Sequence, residues 1–169
     1  MKKILLTSFA CLSLVSCGFT PMYGTGFNGG EGVDIRTDLS HVQIDNVKDR
    51  EGQYLRNALI DRFYIQGRPS QVNYILSIAD IEESRSDLDI TKSSDATRAQ
   101  LRVTTSMTLT DANTNEVVLE RALKSITSFN VLTSEFATRV SEQAARENTL
   151  NDIARQIELQ IGLYLKRSK

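Results

Sequence analysis

The sequence is poor in the residues from which catalytic, metal-binding and disulfide-stabilised sites are commonly built. Its 169 residues include two cysteines, one histidine and no tryptophan. It has no Gly-x-Ser-x-Gly or His-Glu-x-x-His motif, and a lone histidine such as His41 is more often a solvated side chain than a ligand. Asp87 and Asp89 could flank a metal, but a solvated acidic loop is the commoner arrangement. We predict a protein that is not an enzyme and has no metal site and no cofactor.

Basic residues are not in excess, which limits the partners that the chain can bind. There are 20 lysines and arginines against 21 aspartates and glutamates, a formal net charge of −1. Broad binding to nucleic acid requires a basic surface that neutralises phosphates. We therefore expect no nucleic-acid partner.

Long hydrophobic runs are also absent, except at the N-terminus. Lys2 and Lys3 precede the uncharged, largely apolar run Ile4–Val15, which has the length of a signal-peptide core and is too short to span a bilayer as a mature helix. The run ends in Leu-Val-Ser-Cys, which resembles the lipobox of bacterial lipoproteins. We predict a signal peptide over residues 1–16 and lipidation at Cys17. The alternative is an ordinary secretory signal with a chance cysteine.

Cleavage before Cys17 would change both the charge and the cysteine chemistry of the chain. Loss of the two signal-peptide lysines brings the net charge from −1 to −3, so the anchor has to be the lipid rather than basic attraction to headgroups. Two or three acyl chains hold a protein durably on a membrane. Cys11 would leave with the signal and Cys17 would carry the lipid, so the mature chain has no thiol for a disulfide. Gly18, rather than aspartate, after the cysteine favours the outer membrane over the inner one.

The mature chain divides into a short tether and one folded domain. Residues 17–40 are rich in glycine and have little hydrophobic pattern, so we predict a lipidated flexible tether. No Gly-Lys-Ser/Thr follows these glycines, which argues against a phosphate-binding loop. Residues 41–169 are long enough for one domain with its own core.

The first half of this domain predicts a strand, a helix and a second strand. His41–Val47 is the first strand, and Asp49 is a plausible N-cap for a helix that runs to about Gln66. The helix carries an apolar stripe at helical spacing, which consists of Tyr54, Leu55, Ala58, Leu59 and Phe63. The second strand, Val72 to about Glu83, has apolar residues on both faces and is predicted to be central.

The second half predicts two more strands and a long helix. Ser84–Ala96 is polar and is either a loop or an extended strand end, and Thr97–Thr110 alternates as a strand. The segment 111–115 is a turn that leads into the strand Val117–Phe129, in which either Val118 or Leu119 faces the core unless a bulge resolves the pattern. A helix follows from about Thr138 to Lys166, and its predicted apolar stripe consists of Val140, Ala144, Leu150, Ile153, Ala154, Ile157, Ile161, Tyr164 and Leu165.

The predicted fold is therefore an α/β (α+β) two-layer sandwich with the order β-α-β-β-β-α. Strands one and two should be parallel through a right-handed crossover, and the others should form an antiparallel meander. Both helices would pack on one face of a four-stranded mixed sheet. The other face would then be polar, wet or covered by a partner.

The segment Cys17–Gly24, which reads Cys-Gly-Phe-Thr-Pro-Met-Tyr-Gly, resembles the start of the mature LptE proteins of alphaproteobacteria. That branch of the family begins with Cys-Gly-Phe-x-Pro-Leu-Tyr-Gly, so Met22 is a conservative departure. Weaker likenesses lie at the start of the third strand and in the C-terminal helix, at Ala99-Gln100-Leu101, Ala137, Glu142-Gln143 and Ala154-x-Gln156-Ile157. The likeness spans nearly the whole chain, although only the N-terminal motif is specific.

The resemblance implies a function that the residues alone do not give. LptE proteins are outer-membrane lipoproteins that sit largely inside the β-barrel LptD as a plug, and together the two insert lipopolysaccharide into the outer leaflet. The family fold has two helices on a four-stranded sheet, in agreement with the order derived above. The expected partners are an LptD-like barrel, lipopolysaccharide and, through the acyl chains, the inner leaflet of the outer membrane.

Within this resemblance, contact with lipopolysaccharide should come from basic side chains that pair with its phosphates. The candidates lie on the third and fourth strands and are Arg98, Arg102, Arg121 and Lys124. The alternative for each of them is a solvated surface charge. The polar sheet face and the loops are expected to meet the hydrophilic wall of the barrel.

Two other functions are open at this point. A periplasmic lipoprotein that carries an apolar ligand, without a barrel partner, would need a concave pocket of about several hundred cubic ångströms with apolar lining. The apolar stripes of both helices are expected to pack against the sheet, which argues against such a pocket. An accessory factor tethered near the cell wall would need a partner-binding groove.

Overall fold

The computed structural model describes residues 38–65, 67–68, 71–90 and 96–168. The elements in chain order are β1 (Val42–Ile44), α1 (Asp49–Phe63), β2 (Tyr74–Ile78), β3 (Glu82–Ile90), β4 (Ala96–Asp111), β5 (Val117–Asn130) and α2 (Glu135–Arg167). The predicted signal peptide, Cys17 and most of the predicted tether lie outside the described residues. Leu39, which the prediction placed in the tether, is only 1% exposed, so the folded domain includes residues before His41.

The sheet has the predicted α+β topology with one difference in strand count. β1 pairs in parallel with β2, and β5 pairs antiparallel with one edge of β4. β2 and β3 both pair antiparallel with β4, each with a different stretch of it, so they lie end to end along its other edge. The sheet of the described residues is therefore four strands wide, as predicted, although it contains five strands.

The additional strand arises from a bulge within the strand that was predicted over Val72–Glu83. Ile78 pairs with Met107, and Glu82 pairs with Thr104, so three residues oppose two of β4 at this point. A single extra residue in one strand interrupts the ladder and bends the chain. The Ala79 N–H still donates to the carbonyl of Ser106, at 2.9 Å. The polar segment after Glu83 is thus an extended strand as far as Ile90, rather than a loop.

Both helices pack on one face of the sheet, where they bury its apolar side. Alternate residues of β4 between Ala99 and Leu109 are buried under α2. The buried residues of α1 are Gly52, Leu55, Leu59 and Phe63, and those of α2 are Ala145, Thr149, Leu150, Ile153, Ala154, Ile157, Ile161, Gly162 and Leu165. Neither helix of the described part of the chain is long and apolar enough to span a bilayer.

The helix boundaries differ from the predicted ones at the N-terminal ends. α1 begins at Asp49 with Lys48 in the capping position, so the prediction of Asp49 as N-cap was wrong. α2 begins at Glu135, before the predicted Thr138, because the Ser134 hydroxyl accepts a hydrogen bond from the Ala137 N–H. The predicted apolar stripe of α2 was also wrong at its start, since Val140 is 54% exposed and Ala144 is exposed as well.

The β4–β5 connection confirms the predicted turn and settles the open question about the following strand. The Asp111 carboxylate accepts hydrogen bonds from the N–H groups of Asn113 (2.8 Å) and Thr114 (3.1 Å). Leu109 pairs with Leu119, whereas Thr110 pairs with Val117, so Val118 is the extra residue of a bulge. Leu119 is buried on the helix side of the sheet. From Leu119 onward, the odd-numbered residues of β5 therefore face the helices and the even-numbered residues face the opposite side of the sheet.

Candidate interaction surface

The sheet face opposite the helices carries three of the four basic residues that the sequence singled out. Alternation along β4 places Arg98 and Arg102 on this face, because the residues between them point to the core. Lys124 on β5 is on the same face, opposite Thr104. All three side chains are exposed, and none of them forms a salt bridge with another described residue. We call this side of β3, β4 and β5 the open sheet face.

Most of the remaining side chains on the open sheet face are short and polar. No helix of the described part of the chain packs on it. Its members on β4 and β5, besides the three cations, are Gln100, Thr104, Ser106, Thr108, Thr110, Val117, Glu120, Ala122, Ile126, Ser128 and Asn130. Such a face has donors and acceptors for water or for a hydrophilic wall, but it cannot bury a large apolar area.

Arg121 does not belong to this group. It is paired with Met107, a buried core residue, and therefore lies on the helix side of β5. Its Nη1 donates to the carbonyl of Glu120 at 2.7 Å. Arg121 lines an open groove of about 540 Å³ between β5 and the C-terminal half of α2, together with Gln160, Leu163, Tyr164 and Arg167. The structure thus places three of the four candidates on the open sheet face and the fourth, Arg121, on the helix side of the sheet.

A second group of charges, which the sequence analysis did not identify, lies between β3 and α2. Glu83 and Arg85 are opposite the buried residues Val103 and Leu101, so their side chains face the helix. Arg146 contacts Glu83 and Glu142, while Arg85 contacts Glu142 at 3.1 Å. The sequence does contain a signal for this group. Charged residues stand at every second position of β3, and charged residues stand four apart on α2.

The electrostatics of this group favour the charged form of the arginine. Partial burial alone would lower the pKa of Arg146, but the hydrogen bonds and negative charges of Glu83 and Glu142 raise it above its ordinary value. Arg146 is therefore a fixed positive charge that holds two carboxylates together. This arrangement joins β3 to α2 and offers no free group for catalysis.

No metal-binding or apolar-ligand site is evident in the described residues. No group of three or more His, Cys, Asp or Glu side chains is placed there to hold a metal ion, and Asp87 contacts Arg85 at 3.4 Å. A second open groove, of about 250 Å³, lies between α1 and α2 and is lined by Arg50, Glu51, Gln53, Tyr54, Asn57, Gln143, Arg146, Glu147 and Leu150. The groove is open, and its volume falls below the about 300–1,000 Å³ of typical ligand pockets, so it does not enclose an apolar ligand.

The domain defined by these features is a two-layer α+β sandwich with a polar, partly basic sheet face. The family model described as LptE, lipopolysaccharide-assembly, matches residues 39–161, which is most of the chain. The chain therefore belongs to the LptE family of lipopolysaccharide-assembly proteins. No sequence among the curated proteins matches it.

Solved structures share the fold at low sequence identity. A lipoprotein from Caulobacter crescentus CB15 is 21% identical, with a TM-score of 0.66 over 80% of this chain and 97% of its own. The rare lipoprotein B from Shewanella oneidensis is 9% identical, with a TM-score of 0.56 over 75% of this chain and 95% of its own. A minor lipoprotein from Acinetobacter baumannii is 20% identical, with a TM-score of 0.52 over 72% of this chain and 88% of its own. These likenesses establish the two-layer fold.

Proposed function

We propose that this protein is an outer-membrane lipoprotein that plugs an LptD-like β-barrel and assists its assembly, so that the two form the translocon that inserts lipopolysaccharide into the outer leaflet. Membership of the LptE family gives the broader role in lipopolysaccharide assembly. The observation that carries the proposal is the open sheet face, which has polar side chains, three cations without a salt bridge to any described residue, and no described helix over it.

This face has the chemistry that the interior of an outer-membrane barrel requires. The lumen of such barrels is polar, whereas their apolar band faces the lipid. A plug that presented an apolar face to that wall would leave the polar groups of the wall without partners. The threonines, serines and glutamine of β4 can instead exchange hydrogen bonds with water and with the wall.

The cations of this face are suited to the phosphates of lipopolysaccharide. A guanidinium group can donate two parallel hydrogen bonds to phosphate oxygens, and an ammonium group acts as a point charge. Arg98 and Arg102 lie on one face of one strand, four residues apart, and Lys124 lies on the neighbouring strand. We assign direct contact with lipopolysaccharide or the barrel to these three residues, and a separate contact with the barrel alone to Arg121 on the helix side.

The anchor follows from the N-terminal sequence. After removal of the signal peptide, residues 1–16, acyl chains on Cys17, palmitate among them, would insert into the inner leaflet of the outer membrane from the periplasmic side. The protein would act there by binding and positioning, without catalysis. The residues from Cys17 to the folded domain are the tether in this proposal.

A pull-down from outer membranes in mild detergent tests the proposal. The tagged, lipidated protein should bring down one large β-barrel at about equal stoichiometry, and Cys17→Ala should release the protein from the membrane fraction. Recovery of the lipoprotein alone, from membranes in which the barrel is present and soluble in that detergent, would contradict the proposal. That outcome would favour the alternative function, a periplasmic lipoprotein that carries an apolar ligand. Of the two grooves, however, the larger has a mainly polar lining, and the smaller, of about 250 Å³, falls below the about 300–1,000 Å³ of typical ligand pockets.

A further inference from the structure

β5 is a long edge strand, and its backbone polar groups point alternately toward β4 and away from the sheet. The Val131 N–H donates to the carbonyl of Thr97 at 3.0 Å, which fixes the alternation. Odd-numbered residues from Leu119 to Phe129 therefore bond to β4, and the even-numbered residues from Glu120 to Asn130 point their N–H and C=O groups outward. β5 pairs with no other described strand, so no strand in the described part of the chain uses these outward groups, which are of the kind that a further strand can pair with.

Side chains occupy part of this edge. Gln156 Nε2 on α2 donates to the outward carbonyl of Lys124 at 3.1 Å, and Arg121 Nη1 donates to that of Glu120 at 2.7 Å. Gln156 is held in place by a second hydrogen bond, to Asp152 at 2.9 Å. Burial alone would raise the pKa of Asp152, but hydrogen bonds from Ser125, Gln156 and Arg155 hold it below its ordinary value, so the carboxylate stays charged.

Beyond Lys124 no side chain of the described residues occupies the edge. No hydrogen bond from a described residue reaches the outward backbone groups of Ile126, Ser128 or Asn130. Ile126 is also 39% exposed and Lys124 is exposed without a described salt-bridge partner. We call the stretch from Ile126 to Asn130 the unguarded edge.

A second copy of this chain fits the unguarded edge poorly. Two such edges related by a two-fold axis would pair antiparallel around Ser128, and only three outward residues on each side would take part. A longer pairing would require the carbonyl of Lys124, which Gln156 already occupies. A ladder this short does not hold two copies together when it is their sole contact, whereas a partner that also binds other parts of the domain can add it to those contacts.

We propose that the unguarded edge binds an extended segment of another protein by strand addition. The segment would carry an apolar residue next to Ile126 and a carboxylate within reach of Lys124. The inference rests on the proposed function and assigns the segment to the barrel partner. A closed barrel has no free strand edges, so the segment is a loop or a terminal extension rather than a strand of the barrel wall.

A matched pair of proline variants tests the pairing. Ser128→Pro removes an outward N–H from the unguarded edge and leaves the ladder to β4 intact, because proline is tolerated where the N–H faces away from the sheet. Ala122→Pro does the same in the guarded stretch. In the pull-down of the lipidated protein, Ser128→Pro should lower recovery of the barrel about tenfold, and Ala122→Pro should change it less than about twofold. Circular dichroism of both variants checks that the fold is retained.

Amide exchange on the wild-type protein supplies a test that does not depend on a variant. The outward amides of Ile126, Ser128 and Asn130 should exchange more slowly in the purified complex than in the protein alone. If the wild type recovers no barrel, the proposed function itself fails. If the barrel is recovered equally with Ser128→Pro and these amides are unprotected, strand addition is wrong and the proposed function stands. A wild-type dimer that Ser128→Pro abolishes in light scattering would identify a second copy as the occupant and overturn the proposal.

Discussion

The Nε of Arg146 on α2 lies 2.9 Å from each carboxylate oxygen of Glu83 on β3. Most of the contact between the helices and the sheet is apolar, but here it is ionic. It continues through Glu142 to Arg85, whose guanidinium lies 5.4 Å from the centre of the Phe129 ring. The first turns of α2 are therefore attached to β3 by alternating charges rather than by core packing.

Removal of the central cation should loosen this attachment. Arg146→Met leaves Glu83 and Glu142 close together without a positive charge between them, and all three side chains are only 20–25% exposed. A buried pair that loses one partner costs about 3–5 kcal/mol, and partial exposure reduces this, so we expect a loss of about 1–2 kcal/mol in the free energy of unfolding. Urea denaturation at neutral pH measures it.

The matched control for that variant is Arg139→Met. Among the described residues, Arg139 pairs only with Glu135 on the surface of the same helix, and both side chains are more than three-quarters exposed. Its removal should cost less than about 0.5 kcal/mol. Equal effects of the two substitutions would show that the ionic contact between β3 and α2 adds nothing to stability.

A second prediction concerns the close approach of α1 to the loop before it. A Cβ on Gly52 would lie 2.6 Å from Cγ1 of Val47, a stiff β-branched side chain that is only 2% exposed. Alanine favours the helix by about 1 kcal/mol over glycine, but the overlap outweighs this. We expect Gly52→Ala to destabilise the fold by about 1–3 kcal/mol in thermal or urea unfolding.

The double variant identifies the cause of that loss. Val47→Ala removes the clashing methyl groups, so Gly52→Ala should be much less destabilising in a Val47→Ala background than in the wild type. If the cost of Gly52→Ala is the same in both backgrounds, the contact with Val47 is not its source.

The elements that bury a regular apolar stripe could be predicted from the sequence. The alternating residues of β4 and the stripe from Leu150 to Leu165 on α2 matched the buried residues. In each of these elements the buried residues recur at a single spacing, that of a strand or that of a helix. Val140 was assigned wrongly because it continues that stripe by spacing, whereas the strand residues beneath the first turns of α2 are charged. Helical periodicity alone does not show where the core ends.

The residues of the candidate surface could be predicted only in part. Two bulges decide which face of the sheet the remaining residues lie on, and the sequence did not show where these bulges are. The face on which Arg121 lies depends on whether Val118 is paired or bulged, since one residue of register moves every later side chain to the other face. The bulge between Ile78 and Glu82 likewise decides that Glu83 and Arg85 face α2. A bulge depends on pairing with a distant strand, which local sequence patterns do not contain.

A third prediction concerns the pH dependence of the β4–β5 turn. Backbone N–H groups of Asn113 and Thr114 donate to the carboxylate and lower the pKa of Asp111 below 3.8. A group whose pKa is lower in the folded state contributes stability that is complete above its unfolded pKa and is lost as the pH falls through the folded one. Asp111→Asn removes that titration, so its melting temperature should fall less than that of the wild type between about pH 5 and about pH 2. An identical fall in both proteins would contradict the assignment.

The last prediction separates the open sheet face from the groove on the other side of the sheet. Arg102→Glu reverses a charge between Arg98 and Lys124, whereas Arg121→Glu makes the same change on the helix side of β5. Lipopolysaccharide phosphates that bind the open sheet face would lose one charge-assisted contact and gain a repulsion, so Arg102→Glu should weaken binding of purified lipopolysaccharide by about tenfold or more. Arg121→Glu should change the affinity by less than about twofold. Both substitutions replace an exposed arginine on a strand by glutamate, so they change the net charge and the β-strand propensity in the same way. Equal losses with both variants would point to non-specific attraction, and loss with Arg121→Glu alone would move the contact to the groove beside α2.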